Sequence, residues 1–209
     1  MSVVVAVKQN GVVYLGADSQ ISSDKSKFSF SNINNYKIWR YYKYAESCLF
    51  GGVGSLRDIN LIKVNNDLID ENSILKDNIN YKYVVENLVD NLFQVLKNKD
   101  RLVKDSDELF RMSSSYLFSF KSNLFEIGSD GSVIEINDFT AIGSGQEIAI
   151  GSLNTTEEKR PVERIIHAIE ASCKTNLYVN YPIIIMSSDK EDILIINSAE
   201  NIKEVDLNF

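Results

Sequence analysis

Short, nearly continuous apolar runs rich in valine open the chain, at Ser2 to Val7 and Val12 to Ala17. Asn10-Gly11 between them supplies the positive-φ backbone of a tight hairpin, so two paired strands are predicted within the first eighteen residues. The segment 19–35 is polar, dense in Ser, Asn and Lys and without a sustained period, and reads as a long loop with short strands at most. Tyr36 to Tyr42 and Ser47 to Phe50 read as two strands around a polar turn at Ala45-Glu46. The second runs into Gly51-Gly52-Val53-Gly54, where missing side chains let backbone approach closely, and Ser55 is placed to cap a helix.

The period then changes. Leu56, Ile59, Ile62 and Leu68 fit one helical face, and Tyr81, Val84, Val85, Leu88, Leu92, Val95 and Leu96 follow in steps of three and four over more than four turns. From Ser113 the pattern returns to strands, at Tyr116 to Phe120, Leu124 to Ile127, Val133 to Ile136 after the turn signal Ser129-Asp130-Gly131, and Phe139 to Ile142. Gly143-Ser144-Gly145 leads into a second helical pair, 146–154 and 157–174, and strands Ile183 to Met186 and Ile193 to Ile196 follow. Strands, two helices, strands, two helices, strands is an α+β order. It predicts two mostly antiparallel sheets face to face with a helix pair outside each, a four-layer αββα sandwich forming a single domain over 1–209.

Composition narrows the function. A net charge of −7 argues against a nucleic-acid or anionic-membrane partner, both of which reward basic patches. No run approaches the ~18 apolar residues of a membrane span, and the start lacks the pattern of a signal peptide, so a cytoplasmic location is expected. Cys48 and Cys173 lack metal or disulfide spacing and read as buried structural thiols. The one histidine, His167, lies among Val162, Ile165, Ile166 and Ile169 and reads as a surface or helix-packing residue, which argues against a Ser-His-Asp triad. No metal or cofactor is expected.

The candidate chemistry lies at the start. With Met1 removed, Ser2 would carry a hydroxyl nucleophile and a free α-amine of reference pKa roughly 7.7–8.0, so nucleophile and base would share one residue. The partner strand ends on an acid, Asp18.

In order and layout nearly the whole chain resembles the N-terminal nucleophile (Ntn) hydrolases of the proteasome β-subunit type, including the bacterial HslV peptidase. Ser2 corresponds to the family's N-terminal threonine, and Asp18 falls at the family's distance behind it, in a stretch, Gly16-Ala-Asp-Ser-Gln-Ile-Ser22, similar to one in HslV. Lys37 before Ile38 matches the catalytic lysine, Gly51 the glycine whose N–H forms the oxyanion hole, and Ser144 in Ala141-Ile142-Gly143-Ser144-Gly145 the auxiliary serine. The resemblance implies that Ser2 Oγ attacks a carbonyl while its own amine takes the proton. Lys37 would hold positive charge nearby, Asp18 would partner Lys37, Ser144 would bond the amine, and Gly51 N–H would stabilise the oxyanion by about 3 kcal/mol. It places a substrate pocket at Ser22, Asn35, Leu49, Val53 and Arg57, with Leu49 as an apolar floor favouring medium-sized apolar residues and Arg57 at the rim admitting acidic ones.

Two departures stand out. Serine replaces threonine, losing the methyl that restricts the rotamer, and Lys174 or Thr175 aligns where the family has an aspartate that supports the amine. The resemblance implies a peptidase acting on protein or peptide substrates within a homo-oligomeric ring, with an unfoldase ATPase as a candidate partner. The alternatives are a catalytically silent proteasome-like scaffold and a non-peptide amidase on the same fold.

Overall fold

The computed structural model describes residues 2–23, 26–29, 32–43 and 46–204. Met1 and Ala45 of the expected Ala45-Glu46 turn lie outside them. The opening hairpin consists of β1 (Val3–Gln9) and β2 (Val12–Asp18), and at its tip Asn10 and Gly11 both take positive φ, 53° and 80°. The polar segment after Asp18 forms a small ribbon, β3 (Gln20–Ser23) paired with β4 (Ser26–Ser29). Being exposed along β4, it carries none of the apolar alternation that marks a half-buried strand. β5 (Ile38–Lys43) pairs with β6 (Glu46–Gly54), which runs on through its three glycines instead of ending at Phe50.

Ser55 caps α1 (Leu56–Lys63), accepting from the Asp58 N–H. Leu68 lies beyond that helix and reaches the same core from the turn that follows. After α2 (Glu71–Leu75), a continuous helical rod comprises α3 (Tyr81–Tyr83), a π segment (Val84–Leu88) and α4 (Val89–Lys97). The short pair β7 (Val103–Lys104) and β8 (Phe110–Arg111) precedes β9 (Ser114–Phe120), β10 (Asn123–Ile127), β11 (Val133–Glu135) and β12 (Phe139–Gly143). Then come α5 (Gln146–Asn154) and α6 (Pro161–Thr175), followed by β13 (Ile183–Ser187) and β14 (Ile193–Ile196). α6 starts four residues later than the apolar period suggested. Proline has no N–H to donate and fits a first helical turn, and Glu163 reaches back to accept from the Arg160 N–H.

One sheet runs β12-β1-β2-β13-β14 and the other β11-β10-β9-β6-β5, and the ladders among the described strands are antiparallel. Apolar side chains divide into three layers. Val4, Ala6, Leu15, Ile38, Leu49 and Ile184 meet between the sheets. The opposite face of the second sheet packs Phe50, Tyr116 and Phe118 against helices α1 to α4, and the opposite face of the first packs Val3, Val5 and Ile185 against α5 and α6. The architecture is thus the αββα sandwich. Because both faces of each central strand are covered, those strands read in sequence as continuous apolar runs. Among the described residues no helix is long and apolar enough to cross a membrane.

Candidate active site

Ser2 precedes β1 at the edge where that strand pairs with β12, and Val3 stands opposite Gly143. The approach is closer than any side chain allows: a Cβ on Gly143, whose φ is +102°, would lie 2.3 Å from the Ser2 carbonyl oxygen. That proximity lets the loop after β12 grip Ser2 at both backbone atoms. Ser2 N–H donates to Ser144 Oγ at 3.1 Å, while Ser144 Oγ–H and Gly145 N–H both donate to Ser2 O at 3.3 Å.

Asp18, at the end of β2, is buried and accepts four hydrogen bonds. Val3 N–H (2.9 Å) and the Lys37 ammonium (2.7 Å) reach Oδ1; Gln20 N–H (3.0 Å) and Asn180 N–H (3.3 Å) reach Oδ2. The carboxylate therefore ties β1, β2, the segment before β5 and the loop after α6 to one point. Burial pushes the Lys37 pKa below its ordinary value, and the ion pair with Asp18 opposes that shift.

Lys37 and Ser2 line one cavity of about 120 Å³, bounded by residues 20–22, by 35–37 and by one face of α1. Ser22 and Asn35 belong to its wall, and the Gln20 side chain braces Ser22 Oγ at 2.8 Å while also donating to Leu177 O. Ser2 also borders a wider, more open cleft of about 420 Å³, which includes Val53, Ser144 and residues 113–115.

Three expected residues take other places. Leu49 is buried between the sheets beside Ile38 and Val4 rather than at a pocket floor, because its position in β6 turns it to the facing sheet. Arg57, in the first turn of α1, is exposed and borders neither cavity. Gly51 lies under Val4, in register with Ile38 on one side and Leu117 on the other. Gly52 N–H donates to Lys37 O at 2.8 Å, so the neighbouring Gly51 amide points the opposite way, toward β9. The β6 backbone that borders Ser2 in both cavities is Gly54, whose φ of +112° and tight fit on Ser113 O exclude a side chain.

The loop after α6 supplies support that the alignment missed. Lys174 pairs with Glu170 along the helix, and Thr175 Oγ1 donates to Ala171 O, so neither turns to Ser2. Instead Asn176 Nδ2 donates to Ser144 O at 2.7 Å, and Asn180 reaches Asp18 through its backbone. Lys63 was also missed, although its signal is plain: Leu56, Ile59, Asn60 and Lys63 are spaced as one helix face, and all four line the smaller cavity. Cys48 is buried among the helices and second sheet; Cys173 is half-buried, its thiol pushed up to about 12 by burial, with Asp18 and Glu170 adding to the shift. His167 borders a separate surface hollow with Glu170 and Lys174. Among the described residues no group of three or more His, Cys, Asp or Glu side chains could hold a metal ion.

Comparison with solved structures places this fold among known ones. Thiobacillus denitrificans BPH in complex with epoxomicin superposes with a TM-score of 0.65 at 17% identity, over 94% of this chain and 100% of that one. The eukaryotic HslV from Trypanosoma brucei gives 0.60 at 18% identity, over 88% and 98%. The Anbu complex from Pseudomonas aeruginosa, described as a helical assembly, gives 0.67 at 11% identity, over 94% and 87%. No curated protein matches in sequence. The family model described as "Proteasome subunit" matches residues 2–175, most of the sandwich with Ser2, Asp18, Lys37 and Ser144 among them, and the chain therefore belongs to the proteasome subunit family.

Proposed function

We propose that this protein is a serine-type peptidase of the proteasome family that hydrolyses peptide bonds with Ser2 after removal of Met1, inside a homo-oligomeric assembly. One observation carries the reading: Ser2, whose nitrogen donates to the Ser144 hydroxyl, lines the same cavity as Lys37, and Lys37 is paired with the buried Asp18. Once Met1 is gone, that nitrogen is an α-amine, and Ser144 Oγ holds it where it can take the Ser2 hydroxyl proton. Lys37 keeps a positive charge beside the nucleophile, which favours a neutral amine and a more acidic hydroxyl. Attack gives a tetrahedral oxyanion, for which the backbone N–H of Gly54, the β6 residue that borders Ser2 in both cavities, is the proposed donor. The protonated amine then returns its proton to the leaving nitrogen, and water repeats the cycle on the acyl enzyme.

The test is intact mass with an epoxyketone probe. Epoxomicin should add one equivalent to processed protein and none to Ser2→Ala or to protein retaining Met1. Full peptidase activity with Met1 attached would refute the mechanism. Mass measurement of the native assembly decides between a closed ring, which the proposal expects, and an open helical array or a monomer. Co-purification with an unfoldase ATPase is part of the same proposal and is tested by pull-down with Ser2→Ala as bait.

A further inference from the structure

The smaller cavity beside Ser2 has an electrostatic character that neither the fold nor the family position dictates. Two cations, Lys37 and Lys63, belong to its lining, and none of the lining residues is acidic, in a chain of net charge −7. Lys37 is already matched by Asp18. Lys63 is held differently: its ammonium donates to Asn34 O at 3.2 Å and to Tyr36 O, and lies 5.2 Å from the centroid of the Trp39 ring. Two carbonyl dipoles and an aromatic face stabilise a cation without neutralising it, and among the described residues no carboxylate pairs with Lys63.

Around that charge the wall is graded. α1 turns Leu56 and Ile59 to the cavity before Asn60 and Lys63, and the opposite wall offers Ser22 and Asn35. Leu56 to Lys63 spans about 10 Å of helix axis, and Lys63 lies at the far end of that face, where its ammonium is held by Asn34 O, Tyr36 O and the Trp39 ring and also borders a neighbouring hollow. An entering side chain therefore has apolar groups at Leu56 and Ile59 and, further along the same wall, a cation with the amides of Asn60 and Asn35, a match for an apolar stem ending in a carboxylate. We propose that this cavity selects an acidic side chain, glutamate above all, at the residue preceding the cleaved bond, and that Lys63 is the residue that reads it. The proposal rests on the peptidase reading above for its placement at the cleaved bond. Burial brings the Lys63 pKa down to about 8, which leaves it charged at neutral pH yet poorly solvated, the condition in which a charge-assisted hydrogen bond contributes most.

Binding separates this proposal from catalysis. Full-length Ser2→Ala protein is titrated calorimetrically with acetyl-Ala-Ala-Ala-Glu-amide and with its Gln, Leu and Lys counterparts. The Glu peptide should bind about tenfold more tightly than the Gln peptide, the size expected of one hydrogen bond between charged groups. Adding Lys63→Met should erase the ratio, and Lys63→Arg, which keeps the charge and guards against misfolding as the cause, should retain most of it. Equal affinities, a Gln or Leu preference, an unchanged ratio in Lys63→Met or no binding at all would overturn the proposal. Epoxomicin labelling of Ser2 reports on the underlying reading independently. Labelling without a Glu preference removes the selectivity alone, whereas a Glu preference without labelling removes the peptidase alone.

Discussion

Lys37 Nζ donates to Asp18 Oδ1 at 2.7 Å across nineteen positions of sequence, with the two side chains only 7% and 0% exposed. The two residues are not equivalent halves of this pair. Asp18 retains three backbone N–H partners when the ammonium is removed, but the ammonium and those three donors all lose their acceptor when Asp18 is removed. Asp18→Ala should therefore cost about 3–5 kcal/mol of stability and Lys37→Met about 1–3 kcal/mol, while both abolish peptide hydrolysis. Urea denaturation with a turnover assay checks the order; a Lys37→Met variant less stable than Asp18→Ala contradicts it.

At Ser2 the expected effects are chemical rather than structural. Ser2→Ala removes one hydroxyl from a strand edge and should leave the fold and the melting temperature unchanged while abolishing turnover. Ser2→Thr should keep activity to within about one or two orders of magnitude, since both hydroxyls can attack. An uncleaved N-terminal tag or acetylation should silence the protein, because an amide nitrogen cannot accept the proton. Residual turnover of tagged protein, with the tag verified by mass, would count against the amine as base.

Gly143 sets how close Ser2 sits to Ser144. An alanine there would need to place its Cβ 2.3 Å from Ser2 O at a backbone φ of +102°. Gly143→Ala should therefore shift the strand edge, lose about 2 kcal/mol or more and reduce kcat by more than tenfold. A variant with wild-type kcat would mean that the Ser2–Ser144 contact tolerates displacement.

Asn176 holds the carbonyl of Ser144 through Nδ2 at 2.7 Å. Asn176→Asp replaces that donor by an acceptor facing another acceptor, so it should impair activity more than Asn176→Ala, which only deletes the contact. Titration of the pH–rate profile should show the loss in kcat rather than in KM. Equal effects of the two substitutions would make the contact incidental.

The preference for glutamate should depend on pH through Lys63. With its pKa brought down to about 8 by burial, Lys63 is charged below that pH and neutral above it. The ratio of kcat/KM for Glu and Gln peptides should therefore be constant at pH 6–7 and fall toward one as pH rises past about 8. The Ser2 amine and the Lys37–Asp18 pair act on both substrates alike and cancel in the ratio. A ratio flat to pH 9.5 would assign the preference to some group other than Lys63.

Most of the strands and helices could be read from the chain alone, because each central strand is covered on both faces and each principal helix buries one, so local period and burial agree. Val3 to Val7, the positions Val84, Leu88, Leu92 and Leu96 of the helical stripe and the Asn10-Gly11 turn are cases of that agreement, whereas Tyr81 and Val85 of the same stripe face outward. The polar ribbon of β3 and β4 was legible only as a loop with short strands at most, since an exposed strand needs no apolar pattern. Ser2, Asp18, Lys37 and Ser144 were found through their order along a family pattern. Strand parity, however, sends Leu49 into the inter-sheet core and Gly51 beneath Val4, and one or two residues of drift at the end of α6 separated Lys174 and Thr175 from Asn176, which faces Ser144. The sequence by itself determined which residues have the chemistry and which segments are strand or helix, since both depend on neighbours within a few positions. The tertiary structure alone decided which side chains share a cavity, and therefore that Lys63 rather than Leu49 or Arg57 lines it beside Ser2, because that depends on packing between elements whose relative rotation no local period encodes.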